Sequence, residues 1–212
     1  MGIPVLILGE SGSGKSASLR NFEPDDVSIF NVAGKPLPFR KKLPKKSISD
    51  YGVIKDCISK SPKKAFVIDD SQFLMCFESF SKAKETGFTK FTDIALHFYD
   101  LVQFIIRNTP PDVIVYFLHH TETDTNTSKV KAKTMGKMLD NQLTLEGLFS
   151  IVLMCQTDGK KHSFITQSDG FTTAKSPLEM FPEVIDNDLK IVDQTIREYY
   201  EMNERKEEEN ND

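Results

Sequence analysis

The run Gly9-Glu10-Ser11-Gly12-Ser13-Gly14-Lys15-Ser16 brings together residue types that can hold a phosphate chain. It fits the pattern G-x-x-x-x-G-K-[ST] and follows directly on the apolar run Ile3-Pro4-Val5-Leu6-Ile7-Leu8. Glycines let the backbone bend so that successive N–H groups turn inward toward an anion. Lys15 then reaches the β- and γ-phosphates, and the Ser16 hydroxyl is suited to ligate Mg²⁺. A helix starting near Lys15 would aim its positive end at the same phosphates. Gly9 to Ala17 therefore form the candidate nucleotide-binding segment, with ATP and Mg²⁺ as expected ligands. A Gly/Ser linker is the bland alternative. It would not be framed by a strand-like run and by Ala17-Ser18-Leu19-Arg20.

A second carboxylate-bearing feature lies at Lys64-Ala65-Phe66-Val67-Ile68-Asp69-Asp70, an apolar strand ending in two acids. Asp69 is the candidate second holder of Mg²⁺, and Asp70 the candidate base that orients an attacking water. Neighbours on a strand point to opposite sides, so the two acids should have different roles. Asp70 could instead cap a helix starting near Ser71. A third apolar run, Asp112–Leu118, leads into His119-His120-Thr121-Glu122, whose polar groups are candidates for sensing the terminal phosphate. A metal site at the paired histidines is the weaker alternative, since adjacent strand residues diverge.

These residues need a scaffold that brings strand ends together. In 212 residues, β-branched apolar runs alternate with helical patterns, which predicts one α/β domain with a mostly parallel sheet flanked by helices. Strands are expected near 3–8, 28–32, 64–69, 112–118, 149–155 and 161–167. Helices are expected over 15–21, 49–60, 71–86, 90–108, 136–148 and 188–207. Thr157-Asp158-Gly159-Lys160 predicts a tight turn, so the sheet should gain an antiparallel hairpin at its C-terminal end. The domain is expected over 1–200. Residues 201–212, with six acids against Arg205 and Lys206, read as an acidic disordered tail. Three scattered cysteines fit a reducing cytoplasm. No apolar run approaches membrane-spanning length, and the chain enters its first strand at once, so neither a membrane segment nor a signal peptide is expected. Phe73, Phe77, Phe80, Phe91, Phe98 and Phe104 read as core or subunit interface.

Taken together, the chain resembles the RecA-like recombinase ATPases, in the short form encoded by bacteriophages. The likeness rests on the order of the Gly9–Ser16 loop, Ala65–Asp70, Val113–His120, a polar loop, a helix and a hairpin ending in Thr173-Ala174-Lys175-Ser176-Pro177. It implies a RecA-like P-loop NTPase fold and an ATPase acting in DNA recombination or single-strand annealing in the host cytoplasm. It also implies that His119-His120 replaces the polar pair opening a DNA-binding loop, here Thr121–Thr134, with His120 reading the γ-phosphate. The expected partners are single-stranded DNA, other copies of the chain in a ring or filament, and a phage single-strand-binding protein. Lys175 would then be the cation offered to a neighbouring subunit's nucleotide. The family's catalytic glutamate would fall at Ala33, so hydrolysis is either slow or served by Asp70 or Glu122.

Net charge is −4, so contact with nucleic acid would rely on local sets such as Arg40–Lys46 and Lys129, Lys131, Lys133 and Lys137. An AAA-type remodeller or helicase loader is a second reading. A nucleoside monophosphate kinase is a third, though it needs clustered arginines, and the five present (Arg20, Arg40, Arg107, Arg197 and Arg205) are scattered.

Overall fold

Val5, Leu6, Ile7 and Leu8 are all fully buried, which is the signature of a strand covered on both faces. In the computed structural model, which describes residues 1–125, 127–136, 139 and 143–202, they form β1 (Ile3–Gly9) near the middle of a sheet. The remaining strands are β2 (Val27–Asn31), β3 (Lys45–Lys46), β4 (Ala65–Asp69), β5 (Ile114–Thr123), β6 (Val130–Ala132), β7 (Ile151–Thr157), β8 (His162–Ile165) and β9 (Val184–Asp186). They run in the order β3-β2-β4-β5-β1-β7-β8-β9, with β6 paired to β5. The pairs from β3 to β7 along this path are parallel, and β8 and β9 add antiparallel pairs at one edge.

The period-two alternation of β1 sorts its side chains into two cores. Leu6 and Leu8 pack toward α1 (Tyr51–Lys60), α2 (Gln72–Ser81) and α3 (Thr89–Asn108). Val5 and Ile7 pack toward a short 3-10 helix, Ser16–Asn21, and α4 (Leu189–Tyr199). Two caps are visible in sequence terms. Asp50 accepts from the Val53 N–H at the start of α1, and Asp188 accepts from Lys190 at the start of α4.

The fold class is thus α/β, with a mostly parallel central sheet flanked by helices and an antiparallel C-terminal addition. Several expected boundaries move. Residues 16–21 form a 3-10 turn rather than an α-helix, so the dipole argument made for a helix there loses most of its force. The helix expected over 71–86 stops at Ser81, and Lys82–Lys84 form a turn. The strand expected to end at 118 continues to Thr123 and pairs with β6, so the stretch 121–134 contains an antiparallel ribbon, Thr121–Thr123 against Val130–Ala132. β3, β6 and β9 had no expected counterpart. Of the helix expected over 136–148, Leu145–Leu148 form a 3-10 turn, while 137, 138 and 140–142 lie outside the described residues, as does 203–212 of the expected acidic tail. Among the phenylalanines, Phe98 is fully buried, but Phe80 is 77% exposed and does not belong to the core.

Phe98 fills the centre of the α3 side, its ring 5.7 Å from Phe117 and 5.8 Å from His119. Phe98→Ala should lower unfolding free energy by about 3–5 kcal/mol, read as a shifted urea midpoint.

Candidate functional site

The parallel register sets three strand ends beside one another. Gly9 at the end of β1 lies opposite His120 of β5, and Asp69 at the end of β4 lies opposite Asn31 of β2. β5 sits between β1 and β4. The carboxyl edge of such a sheet is where α/β folds bind ligands.

The Gly9–Ser16 loop closes over this edge. Gly12 and Gly14 adopt φ of +82° and +102°, conformations that disfavour any side chain, and a Cβ on Gly14 would sit 2.8 Å from the His162 ring. Among the described residues, the N–H groups of Gly12, Gly14, Lys15 and Ser16 find no acceptor. The buried Ser13 Oγ is likewise without a partner. Lys15 is buried, and its ammonium donates to the carbonyls of Gly9 at 2.7 Å and Glu10 at 2.8 Å. Burial lowers its pKa, against the opposing pull of Cys155 and the Asp70 and Asp69 carboxylates.

Ser16 Oγ donates to Asp69 Oδ1 at 2.7 Å, joining the loop to β4. Burial raises the Asp69 pKa, and the Ser16 hydrogen bond works against that rise. Orphaned N–H groups, a buried ammonium and a hydroxyl–carboxylate pair form a donor set that fits a polyphosphate with a hard divalent cation.

Asp70 departs from the expected geometry. Its φ is +59°, so it leaves the extended conformation, and its carboxylate takes partners different from the Ser16 hydroxyl that Asp69 holds. It does not cap α2 with its side chain. Its Oδ1 lies 3.0 Å from His120 Nε2 and its Oδ2 2.9 Å from Lys35 Nζ. Burial alone would raise its pKa, but the hydrogen bonds from His120 and Lys35 hold it down at about 2. The Lys35 ammonium also lies 5.0 Å from the centroid of the Phe73 ring.

His119 has a different place from His120. It is fully buried, with Nε2 donating to the Lys133 carbonyl at 2.8 Å, which leaves Nδ1 to accept from Ser71 Oγ at 2.9 Å. Burial lowers its pKa to about 4, so it is neutral at physiological pH. Glu122 lies on the β5–β6 ribbon, 3.7 Å from Lys131, and outside this carboxylate cluster. Lys175 pairs through its backbone with Val152 of β7. Arg20 donates to the Asn187 carbonyl and, at 3.1 Å, to the Ala17 carbonyl at the end of the loop, while Arg197 is engaged away from it by Asp193 and the carbonyls of Asp112 and Lys64. Lys137 of the second basic set lies outside the described residues.

Three contributors had no sequence signal that singled them out. Lys35 lies two residues beyond Ala33, where the resemblance expects an acid. Cys155 and His162 both donate to the Ser13 carbonyl, at 2.9 Å and 2.8 Å, tying the loop to the β7–β8 hairpin. Burial pushes the Cys155 thiol up to about 11, which keeps the S–H available as that donor. A separate cavity of about 730 Å³ borders Ile3, Pro110, Leu148 and Tyr200 at the opposite edge of the sheet. Its charged side chains, Lys64 and Asp112, pair with each other at 3.0 Å, and it offers no comparable chemistry.

No protein-family model matches the chain, and no curated protein matches it in sequence. No helix among the described residues is long and apolar enough to cross a membrane.

The lowered Asp70 pKa has a direct consequence for stability. A carboxyl depressed from 3.8 to about 2 stabilises the fold above its unfolded value and loses that contribution as pH falls through the folded one. The stability gap between the wild type and Asp70→Asn should shrink as pH falls between about 4 and 2, as measured by urea unfolding across that range.

Proposed function

We propose that the chain is a P-loop ATPase that binds ATP with Mg²⁺ at the Gly9–Ala17 loop and Asp69. The observation that carries this reading is the 2.7 Å hydrogen bond from Ser16 to Asp69 beside the buried Lys15. Magnesium, when bound, supplies positive charge to the phosphate oxygens as leaving-group charge develops. Ser16 and Asp69 would hold it. Lys15 would exchange the Gly9 and Glu10 carbonyls for phosphate oxygens, and the free N–H groups of Gly12, Gly14, Lys15 and Ser16 would line the cradle. Asp70, with His120 on one oxygen, is poised to orient a water, and its low pKa suits hydrogen-bond acceptance better than proton removal.

The working partner in this reading is single-stranded DNA, bound by an oligomer in a nucleotide-dependent way. Support comes from the resemblance and from the continuity of β5. That strand runs from the site at His120 directly into the ribbon carrying Lys129, Lys131 and Lys133. The ribbon is pinned back to the site, since His119 donates to the Lys133 carbonyl and Lys133 N–H to that of His120. A change at His120 would therefore reach the basic ribbon through main-chain contacts. Arg197 is taken up by Asp193, and Arg20 by main-chain carbonyls, which argues against the arginine clamp of a monophosphate kinase.

The test is steady-state ATP hydrolysis with and without single-stranded DNA, with Lys15→Ala as control. Stimulation by DNA that the substitution abolishes is expected. Nucleotide binding with no response to DNA would overturn the DNA reading and favour a remodelling role, whereas no nucleotide binding would overturn the ATPase reading itself.

A further inference from the structure

We propose that Lys35 is a built-in cation for the terminal phosphate, so that a single chain distinguishes a nucleoside triphosphate from a diphosphate without a neighbour's lysine or arginine. This deepens the ATPase reading and rests on it.

The backbone of Lys35 is fixed to the strand end that carries the acids. Asn31 lies opposite Asp69 in the sheet, and its side-chain amide donates to the Lys35 carbonyl. Lys45 Nζ donates to the same carbonyl at 2.9 Å, Gly34 N–H closes the turn onto Asn31, and Val32 N–H donates to the Asp69 carbonyl. The head group, in contrast, faces solvent. The Lys35 side chain is 61% exposed, while that of Asp70, its partner at 2.9 Å, is 12% exposed. Lys35 is thus an anchored stem with its ammonium at the rim of the site.

A pair with so exposed a lysine adds little to folding. Yet Asp70 adopts a left-handed conformation, φ +59°, uncommon for a residue other than glycine, with its carboxylate between Lys35 and His120. A left-handed residue inside a cluster of charges is a feature that functional sites retain. The charge count agrees. Asp69 and Asp70 supply two negative groups and Lys15 and Lys35 two positive ones, and the field of Lys35 is felt at both Lys15 and Asp69. A terminal phosphate arriving above Ser16 brings more negative charge to this edge. An ammonium has three donors, so Lys35, with its ammonium 5.0 Å from the centroid of the Phe73 ring, can contact a phosphate oxygen while keeping Asp70. Lys175, the residue the resemblance assigned to this task, is bound by its backbone to the body of β7 in its own chain.

Equilibrium titration of the full chain with Mg·ADP and with a non-hydrolysable Mg·ATP analogue tests this directly. Lys35→Ala should weaken the triphosphate analogue about tenfold or more, as loss of a charge-assisted hydrogen bond does, while Mg·ADP affinity stays within about twofold. Lys35→Arg, which keeps the cation, should restore most of the preference, whereas a role confined to holding Asp70 would give no loss specific to the triphosphate. Equal losses for both nucleotides, or no loss for either, would overturn the proposal. If Lys35→Ala melts early in a thermal scan, Lys35→Gln carries the same readout on a longer stem. A wild-type chain that binds both nucleotides, with Lys35→Ala weakening both equally or neither, sinks the Lys35 role alone. A wild type that binds neither removes the ATPase reading and this inference with it.

Discussion

The parallel register of β4, β5 and β1 is the constraint on which the site depends. Because β5 lies between the other two, Gly9 and Asp69 emerge on either side of the His119–His120 step, and Ser16 can bridge back to β4 at 2.7 Å. A slip of one residue along β5 would turn His119 out of the core and His120 into it. The contrast between the two histidines, one neutral and packed against Phe98, one paired with Asp70, is therefore a matter of strand parity.

Around that frame the loop is self-satisfied in one respect and unsatisfied in another. Lys15 has taken up the carbonyls of Gly9 and Glu10, so its buried charge does not stand alone. The inward N–H groups and the Ser13 hydroxyl have no such substitute. A ligand with oxygen acceptors answers both conditions: it replaces the carbonyls at Lys15 and supplies the acceptors the backbone lacks. Cys155 and His162 hold the Ser13 carbonyl meanwhile, so the loop keeps its curvature through contacts from β7 and β8.

What could be read from the sequence divides along physical lines. The loop and the Asp69 strand were legible because each is a local pattern whose residue types are dictated by backbone geometry. The central strands were legible because continuous apolar runs have few alternatives. The six residues after the loop looked helical, yet they are too few to sustain α-helical hydrogen bonding before Pro24. The ribbon after His120 was hidden because its first strand, Thr121-Glu122-Thr123, is polar throughout and its second is three residues long, although the two together have the β-branched content of paired strands. Lys35, Cys155 and His162 gave no signal at all. Their roles come from single tertiary contacts across 35 residues or more, and no periodicity encodes those.

The two edges of the sheet decide how copies of this chain can meet. At one end β3 is two lysines long, and at the other β9 is three residues long, with Asp186 bound to Lys161. Strands so short and charged offer few unpaired backbone groups to a second sheet and repel a like-charged edge. Growth by adding strand to strand is therefore blocked at both ends. Stable association between copies has to use side-chain surfaces on the helical faces or the loops above the strand ends, and those are the surfaces that share their scaffold with the candidate site.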